Sequence, residues 1–529
     1  MKKTHRFLAL MLAALLCAVS GCALAEGKSW REDTSPVTLT MFVNASWWTT
    51  LFDTPVAKKI TEECGVYLDI LTPVADDNQK LILMINSGEL PDMIVTEVGN
   101  ACNQMLIESG MVWDIDELVD TYAPELRETA DPAVFTDNKW TDGHTYYWTN
   151  FTDSEQYHTL QAEYNKKITS NQPCICIRRD YYEEIGSPDL STPEAFLEAI
   201  EKIHALHPDK IGYYEGDGNL SSSSSTSMGS LGYYFGLHSY YKDAEGNIKL
   251  WPRSEQFQKW ALYLRQMAQA GLFTRDSFID DGTVAKSRIL NGDLIAYGWT
   301  LYDCTMWSPA DNPDTGYMVV DPWDTYRAVR TGGGWQTTFI TKNANAQRCI
   351  QFINYMLDPD SYGQFGVRGE KDDPYISDAE GPHYYMDEEG WPHYTADYLA
   401  KLNSGEYSRD VSGAGPYFFF NSSALANVLY WEKEADPLYD HFNEVFGPHI
   451  EYHNEYNSQI IKPASDSDEG TILSKYQSVF NSYLVDIVFA ESEEAAVAAL
   501  KTMNDAMDAM GCQQLEAYYT AQVQEYLSR

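Results

Sequence analysis

Ten side chains in this sequence have the types and spacing to hold a small polar molecule. Trp47 and Trp48 lie in NASWWTT, Glu97 and Asn100 in TEVGN, and Tyr147 and Trp148 in DGHTYYW. Glu215 precedes a Gly-rich turn, Trp299 and Asp303 lie in AYGWTLYD, and Trp335 follows GGG. The chemistry this combination suits is recognition. Aromatic rings offer flat platforms to C–H faces, while carboxylates and amides bracket hydroxyl groups. A concave, preorganised site uses both. Each residue also has a plainer use. The aromatics can pack in a core, TEVGN can cap a helix, and Asp303 can do the same.

Bond-making chemistry finds little support. His441, His449 and His453 lie close in HFNEVFGPHIEYH, but HExxH is absent and solvated helix histidines are the commoner case. The acidic DPD (358–360) and DSDE (466–469) lack EF-hand spacing, so no metal or other cofactor is expected, with calcium left open. GxSxG, Walker A and GxGxxG are all missing.

The elements that must position these residues are legible from periodicity. VTLTMFV (37–43) alternates as a strand, and Thr54, Pro55 and Gly65 bracket a helix as N-cap, first residue and C′. VYLDI (66–70) is a second strand. In LILMINSGELPDMIVTEVGN (81–100), Leu81, Ile82, Met84 and Ile85 recur at helical spacing, with Asp76 or Asp77 as the expected N-cap. Gly88 and Pro91 end that helix. Met93, Ile94 and Val95 then form a short apolar run typical of a strand buried on both faces, and Asp92 reads as a structural residue at its entry. This β-α-β-α-β order implies an α/β fold with parallel pairing, in which ligands sit beyond the carboxyl ends of the strands. NASWWTT and TEVGN both occupy such ends.

Further along, CICIRRDYYEEIG reads as strand then helix, with Cys174 and Cys176 on one strand face as small buried hydrophobes. Ser191 and Glu194 fit a capping box before Phe196, Ile200 and Ile203. GDLIAYGWTLYD is an apolar strand expected to break at Gly298. Residues 337–366 read as strand, Asn-rich cap and a helix with Cys349, Ile350, Ile353 and Met356 inward. The run SSSSSTS (221–227) is a loop or helix start without chemistry, 370–420 is irregular, and the chain from 421 is helical.

Length and charge narrow the classes. With 529 residues, two or more domains are expected. A net charge of -41 repels nucleic acid and anionic headgroups. The N-terminus has a basic n-region, MKKTHR, and an apolar h-region too short to span a bilayer. Val19-Ser20-Gly21-Cys22 resembles a bacterial lipobox, making Cys22 the expected lipidated residue. Ala23-Leu24-Ala25 offers ordinary cleavage after Ala25 as the alternative. Of nine cysteines, seven follow Cys22 or remain after Cys17 and Cys22 are removed, an odd number that makes no disulfide framework.

Taken in order, SGELPDMI, DGHTYYW, IRRDYYEEIGSPDLSTPEAFLEAI, TTFITKNANAQRCIQFINYMLDPDSYGQFGVRGE and MGCQQLEAYYTAQVQEYL resemble extracellular solute-binding proteins of bacterial ABC importers. The likeness is to family 1, in its large oligosaccharide-binding lipoprotein branch. It covers nearly all the mature chain except the Ser-rich loop and parts of 370–470. It implies a two-lobed periplasmic-binding-protein-like fold of type II, each lobe a mainly parallel sheet flanked by helices, with a ligand cleft between the lobes. Residues 1–22 would be the signal peptide and 23–35 a linker. Residues 36–145 plus 332–366 would form lobe 1, and 146–331 plus 367–529 lobe 2.

On this resemblance the chain captures a carbohydrate and delivers it to transmembrane permease subunits of an ABC transporter, without catalysis. It would act as a monomer that touches the membrane only through its lipid anchor, on the outer face of the cytoplasmic membrane. Trp299 is similar to the stacking aromatic of the maltose-binding branch. A secreted glycoside hydrolase with paired carboxylates and a peptide-binding surface lipoprotein are the competing classes.

Overall fold

The computed structural model describes residues 28–46, 48–49, 51–74, 78–140, 142–150, 152, 173–215, 229–238, 240–280, 282–301, 307–331, 334–358, 361, 384–386, 392–397, 400, 419–420, 437–456, 462–463 and 467–528. The chain divides into two compact units, Met1–Leu160 with Gly333–Lys433 and Gln161–Gly332 with Glu434–Arg529.

The first unit is built on strands β1 (Val37–Val43), β2 (Val66–Leu71), β3 (Met93–Glu97), β4 (Trp148–Thr149) and β12 (Gln336–Ile340), in the order β2-β1-β3-β12-β4. β1 pairs parallel with β2 and β3, as the alternation of strands and helices predicts. β12 enters antiparallel between β3 and β4. Side chains alternate across the sheet. Met41, Val43, Met93, Val95 and Ile340 join one core, while Phe42, Ile94 and Phe339 join another on the opposite face. Burial on both sides explains why Met93–Val95 carries no polar alternation. A short hairpin, β13 (Tyr384–Met386) with β14 (Pro392–Tyr394), also lies within this unit's range.

Local chemistry sets the element ends. The Thr54 hydroxyl accepts from Ala57 N at 3.3 Å, Pro55 opens the helix Pro55–Cys64, and Gly65 closes it at φ 76°. No side chain could replace that glycine hydrogen, because a Cβ there would lie 2.1 Å from the Thr34 carbonyl oxygen. Gly88 closes the helix Gln79–Ser87 at φ 73°, also as expected. Its N-cap differs from expectation: Asn78, at φ 59°, holds that position, and Asp76 and Asp77 lie outside the described residues. Asp92 is structural, accepting from Thr40 N at 2.8 Å and from the Thr40 hydroxyl at 2.7 Å.

The helix Ala346–Leu357 is the most enclosed element of this unit. Every residue from Arg348 to Leu357 is buried, far more than one inward stripe. Its polar residues grip the N-terminal segment. Gln351 donates to Ser29 O at 3.0 Å, Asn354 donates to the Ser29 hydroxyl at 2.8 Å, and Arg348 pairs with the Asp33 carboxylate at 3.0 Å. Trp30 packs edge-on against Tyr355 with centroids 4.9 Å apart, and its indole N–H donates to Asp358 at 2.8 Å. The expected linker 23–35 therefore includes anchored residues, since Ser29 and Trp30 are both buried.

The second unit is built on β5 (Pro173–Arg178), β6 (Ile211–Glu215), β9 (Leu294–Thr300) and β10 (Tyr317–Val320), in the order β10-β5-β9-β6. β6 and β9 run parallel, while β5 is antiparallel to both β9 and β10. A hairpin of β7 (Tyr240–Lys242) and β8 (Ile248–Leu250) and a parallel pair of β11 (Ala328–Arg330) with β15 (Ile450–Tyr452) complete the strands described here. Pro437–Phe446, Asp468–Val488, Glu493–Met510 and Cys512–Leu527 supply the expected C-terminal helices, interrupted by β15.

Cys174 and Cys176 share a buried strand face, with sulfurs 3.9 Å apart. The helix Pro193–Leu206 begins one residue later than expected. Thr192 caps Ala195 N at 3.1 Å, while Ser191 turns back to Asp189. β9 also runs unbroken through Gly298 to Thr300, contrary to the expected break. Wholly buried Arg178 is neutralised by Asp180 at 2.7 Å and Asp311 at 2.9 Å, as a buried cation must be.

Replacing Trp30 by alanine empties a packed site and orphans a bond to Asp358, so the first unit should lose about 3–5 kcal/mol. Urea unfolding followed by circular dichroism measures this. A loss under 1 kcal/mol would show that the segment contributes little to the core.

Candidate functional site

In the first unit the carboxyl ends of β1, β3 and β4 meet the amino end of β12, because Gln336 pairs with Glu97 and Thr337 with Thr149. The loops leaving this edge are tied by amides. Asn78 Oδ1 accepts from Asn44 Nδ2 at 2.6 Å and from Asn100 Nδ2 at 2.9 Å, joining the ends of β1 and β3 to the start of a helix. Asn100 also caps the helix Ala101–Glu108, accepting from Cys102 N at 2.9 Å. It thus performs the capping role that the sequence offered as its alternative.

A second amide pair closes the other side of the edge. Gln336 N donates to Asn150 Oδ1 at 2.7 Å, and Asn150 Nδ2 donates to Gln336 Oε1 at 3.2 Å. Beneath them, Thr96 shares hydrogen bonds with Asn103 and with Thr337, the latter at 2.7 Å. Buried amides and hydroxyls partnered in this way make a stiff floor.

On this floor stands Trp335. Its carbonyl accepts from Val98 N at 2.8 Å, and the residue is 42% exposed, an unusual state for so large an aromatic. Gly334 makes that placement possible. It sits at φ 71°, and a Cβ there would fall 2.0 Å from Asn150 O. Glu97, opposite Gln336 in register, is also exposed. The edge therefore carries an exposed tryptophan, an exposed carboxylate and an amide cluster on neighbouring strand ends.

The remaining first-unit candidates turn inward. Trp48 is buried against Phe419 at 4.8 Å, Trp148 packs on Phe135 at 5.8 Å, and Tyr147 packs on Phe339 at 5.4 Å. Tyr147 and Trp148 are both 0% exposed, so their rings have no outward face; these are core positions. Trp47, Asp303 and Cys22 lie outside the described residues. Asn44, Asn78, Asn150 and Gln336 are site-edge residues that the sequence reading missed. The available signal for Asn44, Asn150 and Gln336 was an amide at or next to a strand end; Asn78, at a helix start, carried no such signal.

In the second unit, β6 and β9 end side by side, with Glu215 opposite Gly298. The Glu215 carboxylate is wholly enclosed. It accepts from the Tyr213 hydroxyl at 2.7 Å, from Ser230 N at 2.9 Å and from Leu231 N at 2.9 Å. Burial pushes its carboxyl up to about 7 despite those bonds, which favour the ionised form. This is a carboxylate that organises its own unit. Trp299, one residue beyond Gly298, is 9% exposed and packs edge-on against Trp307 at 5.0 Å. Lys286 Nζ stands 5.5 Å from the centre of the Trp307 ring.

Among the described residues no group of three or more His, Cys, Asp or Glu side chains could hold a metal ion. Their six cysteines are buried and form no disulfide, and no described helix is long and apolar enough to cross a membrane.

A family model for bacterial extracellular solute-binding proteins matches residues 56–366, more than half of the chain. This chain belongs to that family. A fructooligosaccharide ABC transporter substrate-binding protein, FusA of Streptococcus pneumoniae serotype 4, is 21% identical over 235 residues. That match covers 43% of this chain and 42% of the relative, so it spans less than half of the relative's length. The fold extends much further. The solved structure of S. pneumoniae FusA with kestose has a TM-score of 0.65 at 15% identity, covering 93% of this chain and 100% of that one. Alginate-binding protein AlgQ2 without calcium ion gives 0.65 at 14% identity, covering 93% and 99%. The N-glycan transport protein NgtS of S. pneumoniae with Man1GlcNAc gives 0.57 at 13% identity, covering 93% and 100%. The two α/β units thus have the periplasmic-binding-protein-like fold of solute-binding proteins.

Glu215 makes stability depend on pH. Its folded value near 7 lies above the ordinary 4.5, so the favourable contribution is complete below about pH 4.5 and is lost as pH rises through about 7. A shift of that size corresponds to about 3 kcal/mol. The difference in unfolding free energy between wild type and Glu215→Gln should therefore fall across pH 4.5–7 in urea titrations. Parallel curves would refute the assignment.

Proposed function

We propose that this protein captures an oligosaccharide outside the cell and delivers it to the permease of an ABC transporter, without chemical change to the sugar. The observation that carries the reading is the first unit's strand-end edge, where exposed Trp335 and exposed Glu97 come from adjacent strand ends and the Asn44–Asn78–Asn100 amide cluster ties the neighbouring loops. A pyranose or furanose ring presents C–H groups on its faces and hydroxyls around its rim. An indole meets the faces, and a carboxylate with amides meets the rim. Family membership and the carbohydrate ligands of FusA and NgtS support the same class.

Trp299 is the proposed contact from the second unit. Trp47 and Asp303 remain sequence-based candidates. In this reading Cys22 carries the lipid anchor, and the protein works as a monomer at the outer face of the cytoplasmic membrane. Its charge of -41 favours neutral over polyanionic glycans.

A thermal-shift panel of kestose, Man1GlcNAc, alginate fragments and peptides tests the class. A ligand at one hundred times its dissociation constant should add about 2.7 kcal/mol to stability. Trp335→Ala should weaken binding at least about fivefold, the loss expected when a central aromatic is truncated. Chromatography of the incubated glycan should show no hydrolysis. Response to peptides alone, or release of shorter sugars, would overturn the reading.

A further inference from the structure

Glu215 has the burial and bonding of a residue that acts through its neighbours. Two hydrogen bonds to its carboxylate come from the first turn of the helix Gly229–Tyr234, through Ser230 N and Leu231 N. Ser230 then continues the chain of contacts, donating its hydroxyl to Trp299 O at 2.8 Å. The carboxylate, the helix start and the Trp299 main chain are linked in series by bonds of 2.9 and 2.8 Å.

Two glycines show how tightly this arrangement is built. A Cβ on Gly298 would lie 2.4 Å from Glu215 Oε2 and 2.9 Å from Ser230 Cβ. A Cβ on Gly229 would lie 2.4 Å from the Glu215 carboxyl carbon, and Gly229 also has φ +61°. Both glycines leave room for a carboxylate that strand and helix enclose together. The absent side chain at Gly298 lets β9 continue past Glu215 and present Trp299 at its end.

We propose that Glu215 and Ser230 are positioning residues for Trp299: the Glu215 carboxylate holds the start of the helix Gly229–Tyr234, and Ser230 on that helix holds the Trp299 backbone and hence its indole. This rests on the reading of Trp299 as a sugar contact, and it assigns Glu215 a role different from direct ligand binding. A ring held on one side by Trp307 and at its backbone by Ser230 is set before ligand arrives, which lowers the ordering cost of binding.

The test uses the mature full chain labelled with 5-fluorotryptophan. The fluorine resonance of Trp299 is identified as the one lost in Trp299→Phe. Ser230→Ala and Glu215→Gln should each move or broaden that resonance in the ligand-free protein, and Ser230→Ala should weaken kestose binding about tenfold. Phe257→Leu, a core change elsewhere in the unit, should lower the unfolding midpoint without moving the Trp299 resonance. A Trp299 signal in Ser230→Ala that superposes on wild type would overturn the proposal, whatever sugar binds. So would an unchanged Kd in Ser230→Ala where Trp299→Ala weakens binding. If a bound sugar is indifferent to Trp299→Ala, the contact reading of Trp299 fails, and the fluorine signal still decides the positioning role.

Discussion

The first unit depends on one strand that must find its place from far along the chain. β12 inserts antiparallel between β3 and β4, pairing residues 336–340 with residues 93–97. Without it, β3 would expose an unpaired edge and β4, only two residues long, would have no partner. The same insertion brings Gln336 against Asn150 and Trp335 against Val98. A single set of backbone hydrogen bonds therefore completes the sheet and assembles the candidate edge.

Both units solve a shared problem at the strand ends. Backbone and side-chain polar groups there are removed from water yet must be paired. The first unit does this with uncharged amides and hydroxyls, Asn150 with Gln336 and Thr96 with Thr337. The second does it with a carboxylate, Glu215, placed at a helix start where backbone N–H groups point toward it. The amide solution is insensitive to pH, whereas the carboxylate couples its surroundings to protonation near neutrality. In each unit the main chain of a tryptophan, Trp335 or Trp299, is hydrogen-bonded next to that polar cluster.

Outward and inward aromatics separate on a simple physical basis. Trp48, Tyr147 and Trp148 sit where the sheet's own cores demand volume, and they are buried accordingly. Trp335 follows a glycine whose close approach to Asn150 O carries the chain over the sheet's edge, where the residue stays 42% exposed. Neighbouring sequence alone does not distinguish these cases, since each tryptophan stands near a predicted strand end.

Local rules determined a good part of this protein. The Thr54–Pro55–Gly65 brackets, the Gly88 stop, the Asp92 contact and the doubly buried β3 follow from caps, backbone conformation and apolar runs within about ten residues. The order of strands and helices was enough to indicate an α/β chain and the parallel pairing of β1 with β2 and β3, but not the antiparallel pairs made by β12 and β5, and the ordered motifs were enough to indicate the solute-binding family. Tertiary structure decided what depends on distant partners. Only the fold shows that Thr192, and not Ser191, caps its helix, and that Asn78 links two strand ends. Gly298 reads locally as a strand breaker, yet the strand continues because a carboxylate 83 residues earlier occupies the space of its missing side chain. Periodicity reports which way a residue faces along its own element. It carries no record of what stands opposite, and burial, pKa and the exposure of Trp335 are set there.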